Sequence, residues 1–99
     1  MDVTLLYFDD CPNGKVADER LRALADELPD LRLRRRLVET PEEAERVGFH
    51  GSPSIHIDGV DAFADADASV GLSCRVYSTP VGPAGSPTIA QLREVLTGG

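Results

Sequence analysis

The sequence predicts an α/β layer structure in the element order β-α-β-α-β-β-α, and three observations predict it. Short apolar and β-branched runs alternate with stretches whose apolar residues recur at helical spacing. Two of the helical stretches open on start signals, Thr40-Pro41 and Ser86-Pro87. The chain has 99 residues, 41% of them hydrophobic, which suits one small domain with a modest core. It has five aromatic residues and no Trp, so Leu, Val, Ile and Ala must build that core, with Tyr7, Phe8, Phe49, Phe63 and Tyr77 as large fillers.

Residues 3 to 8, VTLLYF, lack clean alternation, as expected of a central strand buried on both faces. From Asn13 to Leu28 the positions Val16, Ala17, Leu21, Leu24, Ala25 and Leu28 form one apolar stripe, so this is an amphipathic helix stopped by Pro29. In residues 31 to 39, Leu31, Leu33 and Leu37 share a face and most Arg residues take the other, a period-two strand pattern. Thr40 as N-cap, Pro41 at the first position and Glu43 three after the cap start a short helix that ends at Gly48. A strand over Ser54 to Ile57 follows Pro53 and ends in the Asp58-Gly59 turn. A returning strand over about Ser73 to Ser78 is expected to pair with it, across a loop longer than a tight hairpin needs. The last helix takes Ser86 as N-cap and Pro87 as its first residue, with Ile89, Leu92, Val95 and Leu96 on its buried face.

The net charge of -7 excludes phosphate backbones and anionic lipid as principal partners, so neither nucleic acid nor membrane is expected. The basic run Arg32, Arg34, Arg35 and Arg36 reads as a solvated strand face. No run approaches the roughly 18 apolar residues of a membrane span, and a secretory signal pattern is missing at the start; a cytoplasmic location is the expectation. There, a bridge between Cys11 and Cys74 would be functional rather than structural. Asp58, Asp61, Asp65 and Asp67 read as turn acids, because the order of a calcium loop is missing. His56 reads as a polar-face strand residue, His50 as a loop residue, and no cysteine or histidine has zinc-ligand spacing.

Cys11-Pro12 lies between the first strand and the first helix, and Ser52-Pro53 lies ahead of the third strand. In this element order the two pairs resemble the thioredoxin-like superfamily over nearly the whole chain. More narrowly, YFDDCPN, ETPEEAERVGFHGSPSIHIDG and GLSCRVY are similar to a group of small bacterial thioredoxin-like proteins, some labelled alkylmercury lyases. The lyase proper has a different architecture, so the similarity brings the fold and the thiol and not that activity. The resemblance implies a four-stranded mixed sheet, Cys11 as nucleophile, Pro53 as a cis-proline beside it, and a substrate-facing surface made by Pro12, Ser52 and Pro53. The sequence departs from Cys-x-x-Cys: Gly14 stands where the resolving thiol belongs, so a dithiol cycle within the motif is impossible.

A helix N-terminus stabilises a thiolate by about 0.3–1 kcal/mol when exposed. Asp9 and Asp10 oppose that effect, so Cys11 is expected to be a fair nucleophile and not an extreme one. Cys74 is the candidate displaced resolver, on condition that its Cα comes within about 7 Å of that of Cys11. The functional expectation is a thiol–disulfide oxidoreductase without a cofactor, acting on protein or small-molecule thiols and disulfides. In it, Cys11 attacks, and Cys74, glutathione or a partner thiol resolves the mixed disulfide. The alternatives are a binding module that captures mercury, an organomercurial or persulfide sulfur on a soft thiolate, and a redox-silent interaction domain.

Overall fold

The computed structural model describes residues 1–8, 11–63 and 75–97. Its elements are β1 (Asp2–Tyr7), α1 (Asn13–Glu27), β2 (Arg32–Leu37), α2 (Pro41–Val47), β3 (Ser54–Ile57), β4 (Val60–Asp61), β5 (Tyr77–Thr79), β6 (Gly82–Ala84) and α3 (Ile89–Thr97). Four strands form a mixed sheet in the order β2-β1-β3-β4. β2 runs parallel to β1, with Leu5 beside Arg35, and β3 runs antiparallel to it, with Leu5 beside Ile55. The central place of β1 explains its unbroken apolar run, since both of its faces are covered.

Alternation along β1 divides the core into two layers. Val3 and Leu5 point to one face, where Ala17, Leu21 and Leu24 of α1 and Leu92 and Leu96 of α3 cover them together with Ile55. Leu6 points to the other face and packs with Val38, Ala44 and Phe49 around α2. The result is helix on sheet on helix, with α1 and α3 on one side and the two-turn α2 on the other. Fully burying a side chain such as Leu21 contributes roughly 1.5–3 kcal/mol, so the α1 stripe is a main source of cohesion.

The short helix follows the start signals read from the sequence: the Thr40 hydroxyl accepts from the Glu43 N–H at 3.1 Å, Pro41 is the first residue, and Gly48 closes it. Two expectations are corrected. The strand that returns along β3 is the two-residue β4, in which Val60 opposes Ile57 and Asp61 opposes His56. Tyr77–Thr79, which overlaps the expected 73–78 strand at Tyr77 and Ser78, pairs instead with Gly82–Ala84 in a separate hairpin. The Asp58-Gly59 turn is tight enough to send the chain straight back, so the nearest following residues take the edge of β3. At α3 the cap is Thr88 rather than Ser86. Thr88 and Gln91 bond each other's backbone N–H groups reciprocally, at 3.1 and 2.9 Å, which satisfies two otherwise unpaired donors. Ser86 is buried and directs its hydroxyl to the Pro87 carbonyl. Among the described residues no helix is long and apolar enough to cross a membrane.

Candidate functional site

Cys11 sits in the tight passage from β1 to α1. Its N–H donates to the Phe8 carbonyl at 3.2 Å and its own carbonyl accepts from Gly14 N–H at 3.3 Å, so the backbone holds the residue at the start of the helix. Pro12 caps α1 at φ -66°, with no side-chain cap bond. Cys11 is 4% exposed, and its thiol donates to the Ser52 carbonyl at 3.5 Å. The Ser52–Pro53 peptide bond is cis. The structure therefore brings Cys11, Pro12, Ser52 and Pro53 together. Cys74, Asp9 and Asp10 lie outside the described residues, as do Asp65 and Asp67.

Gly14 explains how closely α1 approaches the sheet. A Cβ there would stand 3.3 Å from Tyr7 Cβ and 3.8 Å from Ser52 Oγ, so the first turn of the helix rests on β1 without a side chain between them. The Ser52 hydroxyl is fully buried and has no hydrogen-bond partner among the described residues. The Ser52 carbonyl accepts a second bond, from Arg75 N–H at 2.9 Å.

A polar network braces the far side of this turn. Arg75 donates to Asp61 Oδ2 at 2.8 Å, to Ser54 Oγ at 3.3 Å and to the Phe63 carbonyl. Ser54 Oγ in turn donates to Gly51 O at 2.6 Å, and the Tyr77 hydroxyl donates to Pro53 O at 2.5 Å. His50 Nδ1 lies 3.0 Å from Asp61 Oδ2, which orients this histidine toward β4. The side chains of Asp61 and Arg75 are 6% and 8% exposed, and the Arg75 guanidinium lies 4.8 Å over the Tyr77 ring.

Burial works to raise Asp61, but hydrogen bonds from His50, Arg75 and the Phe63 backbone outweigh it and hold the carboxyl below its ordinary range. Burial pushes the His56 imidazole down; Asp61 opposes this, and His50 and Arg75 reinforce it. Burial likewise drives the Tyr77 phenol well above its ordinary range, so it stays a donor to Pro53.

Beside Cys11 opens a pocket of about 300 Å³, lined by Leu5, Tyr7, Phe8, Cys11, Gly14, Lys15, Asp18, Arg22 and Arg35. Lys15, Asp18 and Arg22 reach it because positions three, four and seven apart share one helix face. Arg35 joins them because it lies next to Leu5 in register. Asp18 binds Arg22 at 3.0 Å and Arg35 at 2.5 Å.

Sequence reasoning missed both this pocket and the Asp61–Arg75–Tyr77 network. Two signals were present. Arg35 occupies the leucine parity of its strand, and Lys15, Asp18 and Arg22 repeat at helical spacing.

Among the described residues, two effects oppose each other at Cys11. The helix N-terminus favours the thiolate, whereas the bond donated to Ser52 favours the protonated thiol. Together, fold and site define an α/β protein with a cysteine at a strand–helix junction, backed by a serine–proline turn and opening on a small charged pocket. Compared with protein families, with curated proteins and with solved structures, the chain matches none.

Proposed function

We propose that the protein is a thioredoxin-like thiol–disulfide oxidoreductase that works with a single motif cysteine, Cys11. The observation that carries this reading is the meeting of Cys11, at the start of α1, with the Ser52 carbonyl at 3.5 Å on the wall of a pocket. Supporting it are the mixed four-stranded sheet with helices on both faces and the Cys-Pro and Ser-Pro pairs at corresponding junctions.

In the proposed cycle, the Cys11 proton leaves and the thiolate attacks one sulfur of a disulfide. The second sulfur departs as a thiolate, and a mixed disulfide with Cys11 remains. Gly14 offers no resolving thiol, so either a thiolate from solution attacks the substrate sulfur and releases Cys11 reduced, or Cys74 attacks the Cys11 sulfur, expels the substrate thiolate and leaves a Cys11–Cys74 disulfide that two thiols from solution then reduce. Replacing Cys11 by Ser should reduce catalysed turnover of hydroxyethyl disulfide to the uncatalysed rate. Unchanged turnover in Cys11→Ser would falsify the proposal.

A second reading, a thiol that captures a soft ligand without turnover, is favoured by the 4% exposure of Cys11. Stoichiometric uptake of mercuric ion, with no multiple turnover of any disulfide, would select it.

A further inference from the structure

We infer that the pocket beside Cys11 seats a small, negatively charged thiol or disulfide, which Cys11 engages by exchange; this rests on the reading of Cys11 as the reactive thiol. The first argument is charge. Among the described residues, Lys15, Arg22 and Arg35 line the pocket against a single carboxylate, Asp18. Asp18 divides its two oxygens between Arg22 and Arg35, and Lys15 makes no ion pair among the described residues. The described lining thus carries more positive than negative side chains on a chain whose net charge is -7. A concave site with an excess of one sign concentrates ligands of the other.

The second argument is size and surface. At about 300 Å³ the cavity is at the small end of the range that small-molecule sites occupy. Leu5, Tyr7 and Phe8 supply it with apolar surface. The third argument concerns the competing substrate, an extended peptide pairing with the backbone at Ser52. That carbonyl already accepts from Arg75 N–H at 2.9 Å and from the Cys11 thiol, so an incoming strand finds it occupied.

The exchange balances without an added oxidant or reductant. The Cys11 thiolate attacks one sulfur of the anionic disulfide, a Cys11–ligand disulfide forms, and the other half leaves as a thiolate. A second small thiolate then attacks the ligand sulfur, regenerating the Cys11 thiolate and releasing a new disulfide.

The test measures second-order rates at Cys11 in the full chain, in a Cys74→Ser background that leaves one reporting thiol. Three disulfides are compared: dithiobis(nitrobenzoate), a dianion; hydroxyethyl disulfide, neutral; and cystamine, a dication. Each rate is divided by that of the same reagent with the urea-unfolded chain, which removes intrinsic reactivity. The dianion should lead the dication by roughly tenfold or more at low salt. Lys15→Glu and Arg22→Gln should each bring that ratio toward one. Both residues are exposed, so these variants keep the fold, and taking a ratio cancels any common change in thiolate content. A wild-type ratio near one, or a preference that both variants leave intact, overturns the inference while leaving Cys11 reactive. Failure of all three reagents to react with the folded chain overturns the oxidoreductase reading itself.

Discussion

At the scale of single residues, Asp61 carries more of the site than its place in a two-residue strand suggests. It is the shared acceptor for Arg75 and His50, and Arg75 in turn holds Ser54 and the Ser52 carbonyl. Removing the carboxylate charge leaves a guanidinium with an 8% exposed side chain short of its counter-ion. Breaking such a buried pair costs about 3–5 kcal/mol. We therefore expect Asp61→Asn to lower the unfolding free energy by about that amount, read as a lower urea midpoint at unchanged m. We also expect it to loosen the Ser52 turn, seen as faster hydrogen exchange at Arg75 N–H. A midpoint within experimental error of wild type would show that the pair contributes nothing net. This network was illegible in the sequence for a plain reason. Asp61 sits 14 positions from Arg75 and 11 from His50, so the residues meet only after β4 and Arg75 have come to lie beside β3 and the turn before it.

At the scale of elements, the start of α1 is fixed partly by a residue far along the chain. A Cβ on Gly85, between β6 and α3, would overlap the Asn13 side chain, standing 2.1 Å from Nδ2. Asn13 is the first residue of α1, so the α3 approach and the Cys11 junction share one contact. Gly85→Ala should force Asn13 to another rotamer and destabilise the protein by about 1 kcal/mol. Asn13→Ala should largely relieve that cost, giving a double-mutant coupling of at least about 0.5 kcal/mol. Strict additivity of the two substitutions in urea unfolding would remove the link.

The elements that sequence reading recovered, β1, β2, β3, α1, α2 and α3, carry an apolar run, periodicity or capping strong enough to act locally. β4 is too short to show a period. The β5–β6 hairpin runs through Pro80 and Pro83, which mark a segment as turn rather than strand. The thiol junction was legible because Cys11 and Ser52-Pro53 stand at element boundaries. The charged pocket was not, because its residues look like the ordinary polar faces of a helix and a strand until β2 is set beside β1.

For the whole molecule, the half-buried His56 sets a pH dependence. Its imidazole is held below the ordinary value of 6.5, so as pH falls the unfolded chain takes up this proton before the folded one does. The stabilisation is complete above about pH 6.5 and is lost progressively below it. Asp61, also held below its ordinary value of 3.8, adds a second loss in stronger acid, as pH falls from that value toward its lowered folded one. The urea midpoint should therefore decline as pH falls below about 6.5, and His56→Gln should flatten that decline. An equal slope in the variant would assign the decline to other groups.

The order of the sheet also leaves β2 at an edge, with Arg32, Arg34, Arg35 and Arg36 along its length. An open edge is a template on which a second chain can polymerise, and rows of like charge are a known guard against it. Two copies meeting along β2 would bring eight guanidinium groups together, four from each strand. The same strand that lends Arg35 to the pocket therefore carries a row of charge that opposes pairing along that edge.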